Sequence, residues 1–306
     1  MIRRVLVPLD GSHFAEHAIP SAVAVAKRAG ASLELVSVCR PPFSSTYVRG
    51  ARVYEDSVVR DAVAVHHRYL VAKAAVIKQV HGLDSDISVL VGPVLETLLA
   101  HVSSSLTDLV VMSTHGGDSP NTTWLGSTTD RMIRESQVPL LLVRPSTDRG
   151  SLGTEATVRT ILTPSDGSRV AERVIRMAGE FALLFDAEIA LFCAVPVGSH
   201  PLRSPLASLT PDDEDALERN AEEMRQHLGQ LADELRARGV RASVRVVRHD
   251  HAATAIEETA IELKADLIAM ATHGRGGVRK LFLGSVADKV LRSSSTAILL
   301  VGPGAA

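Results

Sequence analysis

Aromatic residues make up only 3% of this 306-residue sequence, and it has a single tryptophan. Bases of single-stranded nucleic acid stack on aromatic side chains, so that class of ligand is disfavoured. Neither charge is in excess: 33 Lys and Arg stand against 35 Asp and Glu, a formal net charge of −2. This leaves no basic footprint for DNA or RNA and no pull toward an anionic membrane. Apolar runs are short, and none approaches the ~18 residues of a membrane-spanning helix. The N-terminal run in "MIRRVLVPLDGS" stops at Asp10, too early for a secretory signal. The two cysteines, Cys39 and Cys193, sit in apolar runs without metal-ligand spacing. They read as small core residues of a reduced compartment. The expectation is a cytosolic protein that engages neither nucleic acid nor membrane.

What the sequence does have is apolar material for two cores, 45% of residues, in a length that suits two domains of ordinary size. It also has an internal repeat. "VLVPLDGS" (Val5–Ser12) recurs as "ILTPSDGS" (Ile161–Ser168), "TDLVVMSTHG" (Thr107–Gly116) as "ADLIAMATHG" (Ala265–Gly274), and "VPLLLVRP" (Val138–Pro145) as "TAILLVGP" (Thr296–Pro303). The polar stretch "STDRGSLGTEAT" (Ser146–Thr157) reads as a linker. Two domains are therefore expected, over 1–146 and 157–306.

Each half alternates short β-rich runs with helical patterns. In the first half strands are predicted at Arg4–Leu9, Ser32–Val38, Ile87–Val91, Asp108–Ser113 and Pro139–Val143. Helices are predicted near Ser12–Ala29, Val58–Val80, Pro93–Ser104 and Ser127–Glu135. In the second half Thr210, Pro211, Asp212 and Asp213 mark a helix start by capping and dipole chemistry. Such alternation predicts an α/β fold: two doubly wound, five-stranded parallel sheets in strand order 3-2-1-4-5. Strands 1 and 4 then flank the topological switch point, and the ligand crevice lies beyond their carboxyl ends. Asp10 faces Ser113–Gly116 across it, and Asp166 faces Ala271–Gly274.

Each Thr-His-Gly turn is followed by nine residues and a Gly-Ser pair, Gly126-Ser127 and Gly284-Ser285. Each pair opens a helix, whose unpaired N–H groups and positive dipole end favour an anion. Gly116 and Gly274 let the turn approach that anion closely. A carboxylate on the opposite lip repels phosphate but accepts hydrogen bonds from a sugar diol. Together these describe a nucleotide. Read singly, each loop is equally turn and cap chemistry; the same spacing at two equivalent places favours the ligand. His115 and His273 have no evident acid–base partner, and anchoring the turn is the alternative to touching a ligand.

These stretches resemble the universal stress proteins, which carry V-x-V-P-x-D-(G/x)-S at the first strand and G-x-x-G-x9-G-(S/T) after the fourth. The resemblance covers nearly the whole chain and implies a tandem member with the adenine nucleotide alpha hydrolase-like fold. It implies ATP in each crevice, with AMP or ADP as alternatives and Mg2+ accompanying ATP. In the first half it places Pro8, Asp10, Val38, Ser113, His115, Gly116, Gly117, Gly126, Ser127 and Thr128 around the nucleotide. In the second it places Pro164, Asp166, Ala194, Ala271, His273, Gly274, Arg275, Gly284, Ser285 and Val286 there. The Asp meets the ribose, the glycine loop and Gly-Ser hold phosphates, and Val38 and Ala194 line the adenine. Further implications are pairing through the last strand of each domain, a homodimer of chains, and a role in stress response or survival.

The sequence departs from the family pattern at its first loop glycine, replaced by Ser113 and Ala271. If that backbone needs positive φ, each replacement costs about 1–2 kcal/mol. The second loop also carries Arg275, Arg279 and Lys280, cations suited to a triphosphate, whereas the first carries Asp118. The Asp166–Ser285 site is therefore expected to bind more tightly. Two other functions stay open: a nucleotide-free interaction module of the same fold, and a slow ATPase. No G-x-x-x-x-G-K-(S/T) loop or carboxylate pair supports dedicated phosphoryl transfer. "RHDH" (Arg248–His251) lacks a third ligand at metal spacing. "HH" (His66–His67) reads as surface, and "DDED" (Asp212–Asp215) as a favourable helix start. The Pro-rich stretches Arg40–Asp56 and Pro196–Pro211 read as loops able to act as lids, with Tyr47 and Tyr54 placed to shield a base.

Overall fold

The computed structural model describes residues 2–40, 45–48, 51–54, 56–114, 125–145, 155–197, 211–272 and 283–302, with backbone alone at 45–48, 51–54, 56 and 211–213. The chain divides into two compact units, Met1–Ala156 and Thr157–Pro303. Unit 1 contains β1 (Arg4–Pro8), α1 (His13–Glu16), α2 (Ala18–Ala29), β2 (Ser32–Cys39), β3 (Ser45–Val48), β4 (Ala51–Tyr54), α3 (Asp56–His81), β5 (Ser85–Val91), α4 (Val94–Ser104), β6 (Leu109–Ser113), α5 (Ser127–Glu135) and β7 (Leu140–Val143). Unit 2 contains β8 (Thr160–Pro164), α6 (Arg169–Phe185), β9 (Glu188–Val195), α7 (Pro211–Ala237), β10 (Arg241–Arg248), α8 (Ala252–Glu262), β11 (Leu267–Ala271), α9 (Ser285–Ser293) and β12 (Ala297–Val301).

Within unit 1 the strands run β5-β2-β1-β6-β7, every pair parallel. Within unit 2 they run β10-β9-β8-β11-β12, again parallel. Each unit is thus the expected doubly wound sheet in 3-2-1-4-5 order. Helices cover both faces, so central strands are near-continuous apolar runs; β6 (LVVMS) is buried along its whole length. Val5, Leu6 and Val7 of β1 and Ile161 and Leu162 of β8 are fully buried. Among the described residues no helix is long and apolar enough to cross a membrane.

The first predicted helix is broken in two. Pro20 has no N–H to offer the Glu16 carbonyl, and its ring crowds that carbonyl, so α1 ends at Glu16 and α2 begins at Ala18. His17 bridges the break, its N–H donating to Phe14 C=O at 3.3 Å. Unit 2 carries Arg176 at the position of Pro20, and α6 runs unbroken through it.

Three further expectations change. The stretch Arg40–Asp56 contains an antiparallel β-ribbon, with β3 pairing β4 from Ser45↔Tyr54 to Val48↔Ala51. The side chains of Tyr47 and Tyr54 lie outside the described residues. His66 is turned inward against β2 rather than lying on the surface, its Nδ1 2.8 Å from Ser37 Oγ. The end of the stretch read as a linker is held on unit 1. Glu155 accepts hydrogen bonds from Lys27 and, at 3.2 Å, from Arg28. The Lys27 bond is the main cause that holds the Glu155 carboxyl below its usual range.

Candidate functional site

The repeated Asp-Gly-Ser segment is a turn that feeds a helix cap. Gly11 (φ 86°) and Gly167 (φ 76°) adopt the left-handed backbone that glycine accepts without strain. Asp10 Oδ1 accepts from Ser12 N–H at 2.9 Å and from Ser12 Oγ–H at 2.5 Å. Ser12 Oγ in turn accepts from Ala15 N–H at 3.2 Å and caps α1. Unit 2 repeats this: Ser168 N–H donates to Asp166 Oδ1 at 3.0 Å, and Ala171 N–H to Ser168 Oγ at 3.2 Å. Asp10 is exposed and Asp166 half-buried at the carboxyl ends of their strands.

The opposite lip is built by strand 4 and the helix after it. Thr114 N–H donates to Val143 C=O at 2.9 Å, and Gly126 N–H donates to Thr114 C=O at 3.0 Å. The loop between is therefore clasped at its two ends by one backbone bond. Buried Thr129 Oγ1 donates to Ser113 C=O at 3.1 Å and locks α5 to β6. The first helical bond of α5 runs from Asp130 N–H to Gly126 C=O, 2.9 Å. The N–H groups of Ser127, Thr128 and Thr129 precede it and form the anion-favouring end of the helix. In unit 2, Gly284 N–H donates to Thr272 C=O at 2.8 Å, and Asp288 N–H to Gly284 C=O at 2.8 Å.

Gly126 (φ −60°, ψ 142°) and Gly284 (φ −60°, ψ 145°) have a backbone open to any residue. Ser113 and Ala271 end β6 and β11 in strand conformation and are absent from the positive-φ positions. The strain that a lost glycine would impose does not arise.

Between the lips of unit 1 lies a cleft of about 330 Å3, within the ~300–1,000 Å3 of small-molecule sites. Of the expected residues, Pro8, Asp10, Val38, Ser113, Gly126, Ser127 and Thr128 line it. His115, Gly116, Gly117, His273, Gly274 and Arg275 lie outside the described residues. So do Asp118, Arg279 and Lys280. In unit 2, Pro164, Asp166, Ala194, Ala271, Gly284, Ser285 and Val286 occupy the corresponding ends of β8, β9, β11 and α9.

Sequence reasoning missed the floor of the cleft: Val36 and Met112 beneath, with Val94 and Leu98 from α4. The strand order could have supplied α4. A helix that joins strand 3 to strand 4 must cross strands 2 and 1, so its first turn overhangs the switch point. The floor differs between units. Pro8 pairs in register with Val36, and Pro164 with Phe192. Unit 2 therefore carries an aromatic where unit 1 has Val36, and Ala194 and Ala252 where it has Val38 and Val94.

Behind the cleft, α3 grips α1. Tyr69 O–H donates to Glu16 Oε1 at 3.0 Å, and Lys73 Nζ lies 2.7 Å from the same oxygen. Burial, then the Glu16 charge and hydrogen bond, then Asp10, push the Tyr69 phenol well above its usual range. Among the described residues no group of three or more His, Cys, Asp or Glu side chains is placed to hold a metal. His249 Nδ1 instead accepts from His251 N–H at 2.9 Å.

A doubly wound parallel sheet repeated twice, each copy with an acid after its first strand and a helix start after its fourth, defines a tandem α/β protein. The Universal stress protein family profile matches residues 1–144 and again 157–302, and the chain belongs to that family. A universal stress protein of Mycolicibacterium smegmatis is 24% identical over 98% of this chain and 97% of its own length. One from Methanocaldococcus jannaschii is 30% identical over 48% of this chain and 84% of its own. In solved structures, a universal stress protein from Archaeoglobus fulgidus superposes with a TM-score of 0.66 at 17% identity, covering 98% of this chain and 96% of its own. That last likeness is one of fold.

Proposed function

We propose that this chain binds an adenine nucleotide, ATP in the first instance, at the switch point of each unit, and acts in the cytosol as a nucleotide-responsive regulator of stress survival. The observation that carries the proposal is the composition of the unit 1 cleft: an acid on one lip, helix N–H groups on the other and an apolar floor between. The residues fit the ligand part by part. Val36, Val38, Val94, Leu98 and Met112 offer a dry surface to the base. Asp10 accepts from the ribose hydroxyls, and the N–H groups of Ser127 and Thr128, with their hydroxyls, donate to phosphate oxygens. Mg2+ would be bound with the phosphates of ATP. Its charge would offset theirs, while the chain's own groups orient the nucleotide. Occupancy rather than turnover is the proposed output. A homodimer of chains belongs to the same proposal and is read by light scattering.

The test is direct. Purified protein is denatured and its supernatant chromatographed for adenine nucleotide, which is expected to copurify. If none does, a melting scan with ATP at about 100 times Kd is expected to show about 2.7 kcal/mol of added stability. No copurifying nucleotide together with an unmoved melting curve refutes the proposal.

A further inference from the structure

Beneath the acid-bearing turn of unit 1 lies a buried polar strut outside the cleft lining. Ser37 is 1% exposed in the middle of β2, on the face opposite Val36 and Val38. Its Oγ lies 2.7 Å from Leu9 C=O and 2.8 Å from His66 Nδ1. A carbonyl only accepts, so the single hydroxyl proton of Ser37 goes to Leu9. His66 must then bring the proton on Nδ1, and the order is His66 Nδ1–H to Ser37 Oγ–H to Leu9 C=O. Leu9 is also held from the other side, its N–H donating to Val36 C=O at 2.8 Å. The next residue is Asp10, whose carboxylate sets one lip of the cleft. Leu9, the residue before Asp10, is thereby fixed at its N–H by backbone and at its C=O by the strut.

The repeat supplies an internal comparison. Unit 2 keeps the backbone half, Ser165 N–H to Phe192 C=O at 2.8 Å. At the strut positions it carries Cys193 for Ser37 and Met224 for His66. The latter follows when α3 and α7 are matched at their buried positions, Leu70 with Leu228 and Ile77 with Leu235. The same match sets Tyr69–Glu16 against His227–Glu172, the latter 3.7 Å apart. A thioether has no proton to give. Both units fold the same sheet, so the sheet does not require a serine–histidine strut.

We infer that Ser37 and His66 are positioning residues for the unit 1 cleft: through the Leu9 carbonyl they hold the Asp10 turn in the orientation that meets a sugar diol. The ligand in this inference rests on the nucleotide reading above, whereas the mechanical role does not. Hydrogen–deuterium exchange of the full chain separates the two. In Ser37→Ala and His66→Leu, exchange over residues 9–16 should quicken about fivefold, as expected for one lost hydrogen bond. In His66→Asn, whose amide N–H replaces the Nδ1 donor, it should return close to the wild-type rate. Residues 165–172 of unit 2 should not change in any variant. The ATP concentration that protects residues 9–16 should rise by a similar factor in the first two variants. Wild-type exchange in Ser37→Ala, equal rates in His66→Asn and His66→Leu, or acceleration spread evenly through β1 and β2 overturns the positioning role. A wild-type chain that ATP never protects overturns the nucleotide reading, and the exchange rates without ATP still decide the strut.

Discussion

A Cβ built on Gly92 would lie 2.5 Å from Thr97 Oγ1, in a backbone at φ 152° that L residues rarely adopt. Gly126 differs on both counts, since its φ of −60° strains no side chain. Gly92→Ala is therefore expected to cost about 1–3 kcal/mol, read as a lower urea midpoint at unchanged slope. Adding Thr97→Ala should recover the steric part and leave the backbone part. Gly126→Ala is expected to leave the midpoint in place and to weaken ATP binding, because Gly126 lines the cleft. These two glycines look alike in sequence. The turns at Asp10 and Asp166 and the helix starts at Gly126 and Gly284 were legible in the sequence, because turn and cap chemistry is local. Val94, Leu98 and Phe192 were not, because an apolar residue on a helix or strand carries no mark of which neighbour it will face.

The elements that shape unit 1 include two polar pairs with opposite expectations. The raised Tyr69 phenol belongs to the α3–α1 contact through Glu16. A group whose folded pKa lies above its unfolded value of ~10 gives stability that is present below that pH and is lost as pH rises through the folded value. Unit 1 should thus lose stability above pH ~10, and Tyr69→Phe should remove this part of the alkaline dependence in melts across that range. On the other face, Glu34 of β2 is buried and accepts from Ser88 Oγ at 2.7 Å and from His101 Nε2 of α4 at 2.8 Å. Unit 2 has Ala190 and Thr259 at these positions. Glu34 Oε2 also lies 3.8 Å from Arg4 Nε, so His101→Ala removes one of several partners of a buried carboxylate and should cost about 1–3 kcal/mol. The double variant Glu34→Ala/His101→Thr, which places the unit 2 residues here, should cost less than His101→Ala, since no carboxylate is then left short of a partner and Arg4 keeps Asp86 at 3.5 Å. Equal losses in the two variants would show that the pair itself holds α4 in place. Strand and helix order was readable from periodicity and turn residues. The ribbon β3–β4 was not, because prolines and polar residues around it gave the signal of a loop. The break at His17 was available from Pro20, whose effect on the preceding turn is local physics. His66 was misplaced because adjacent histidines diverge around a helix, and only the Leu70–Ile77 register shows which of the two turns inward.

At the scale of the molecule, the repeat made the tandem architecture readable before any coordinate, since two copies of one pattern test each other. The family profile matches twice, over 1–144 and 157–302, as a tandem member requires. Two copies also let the units differ. Unit 1 has Val36, Val38 and Val94 around its cleft and a strut behind Asp10; unit 2 has Phe192, Ala194 and Ala252 at the matching places and more cations in its loop sequence. The sites should therefore not be equivalent, and Gly284→Val is expected to weaken nucleotide binding more than Gly126→Val does. Titration calorimetry of ATP into the intact chain tests the central claim most directly. Saturable heat from two unequal sites is predicted, with the tighter lost in Asp166→Ala, the weaker in Asp10→Ala, and all of it in the double variant. Absence of saturable heat from the wild-type chain, or heat that survives removal of both carboxylates, would contradict a nucleotide held between the acid and the helix.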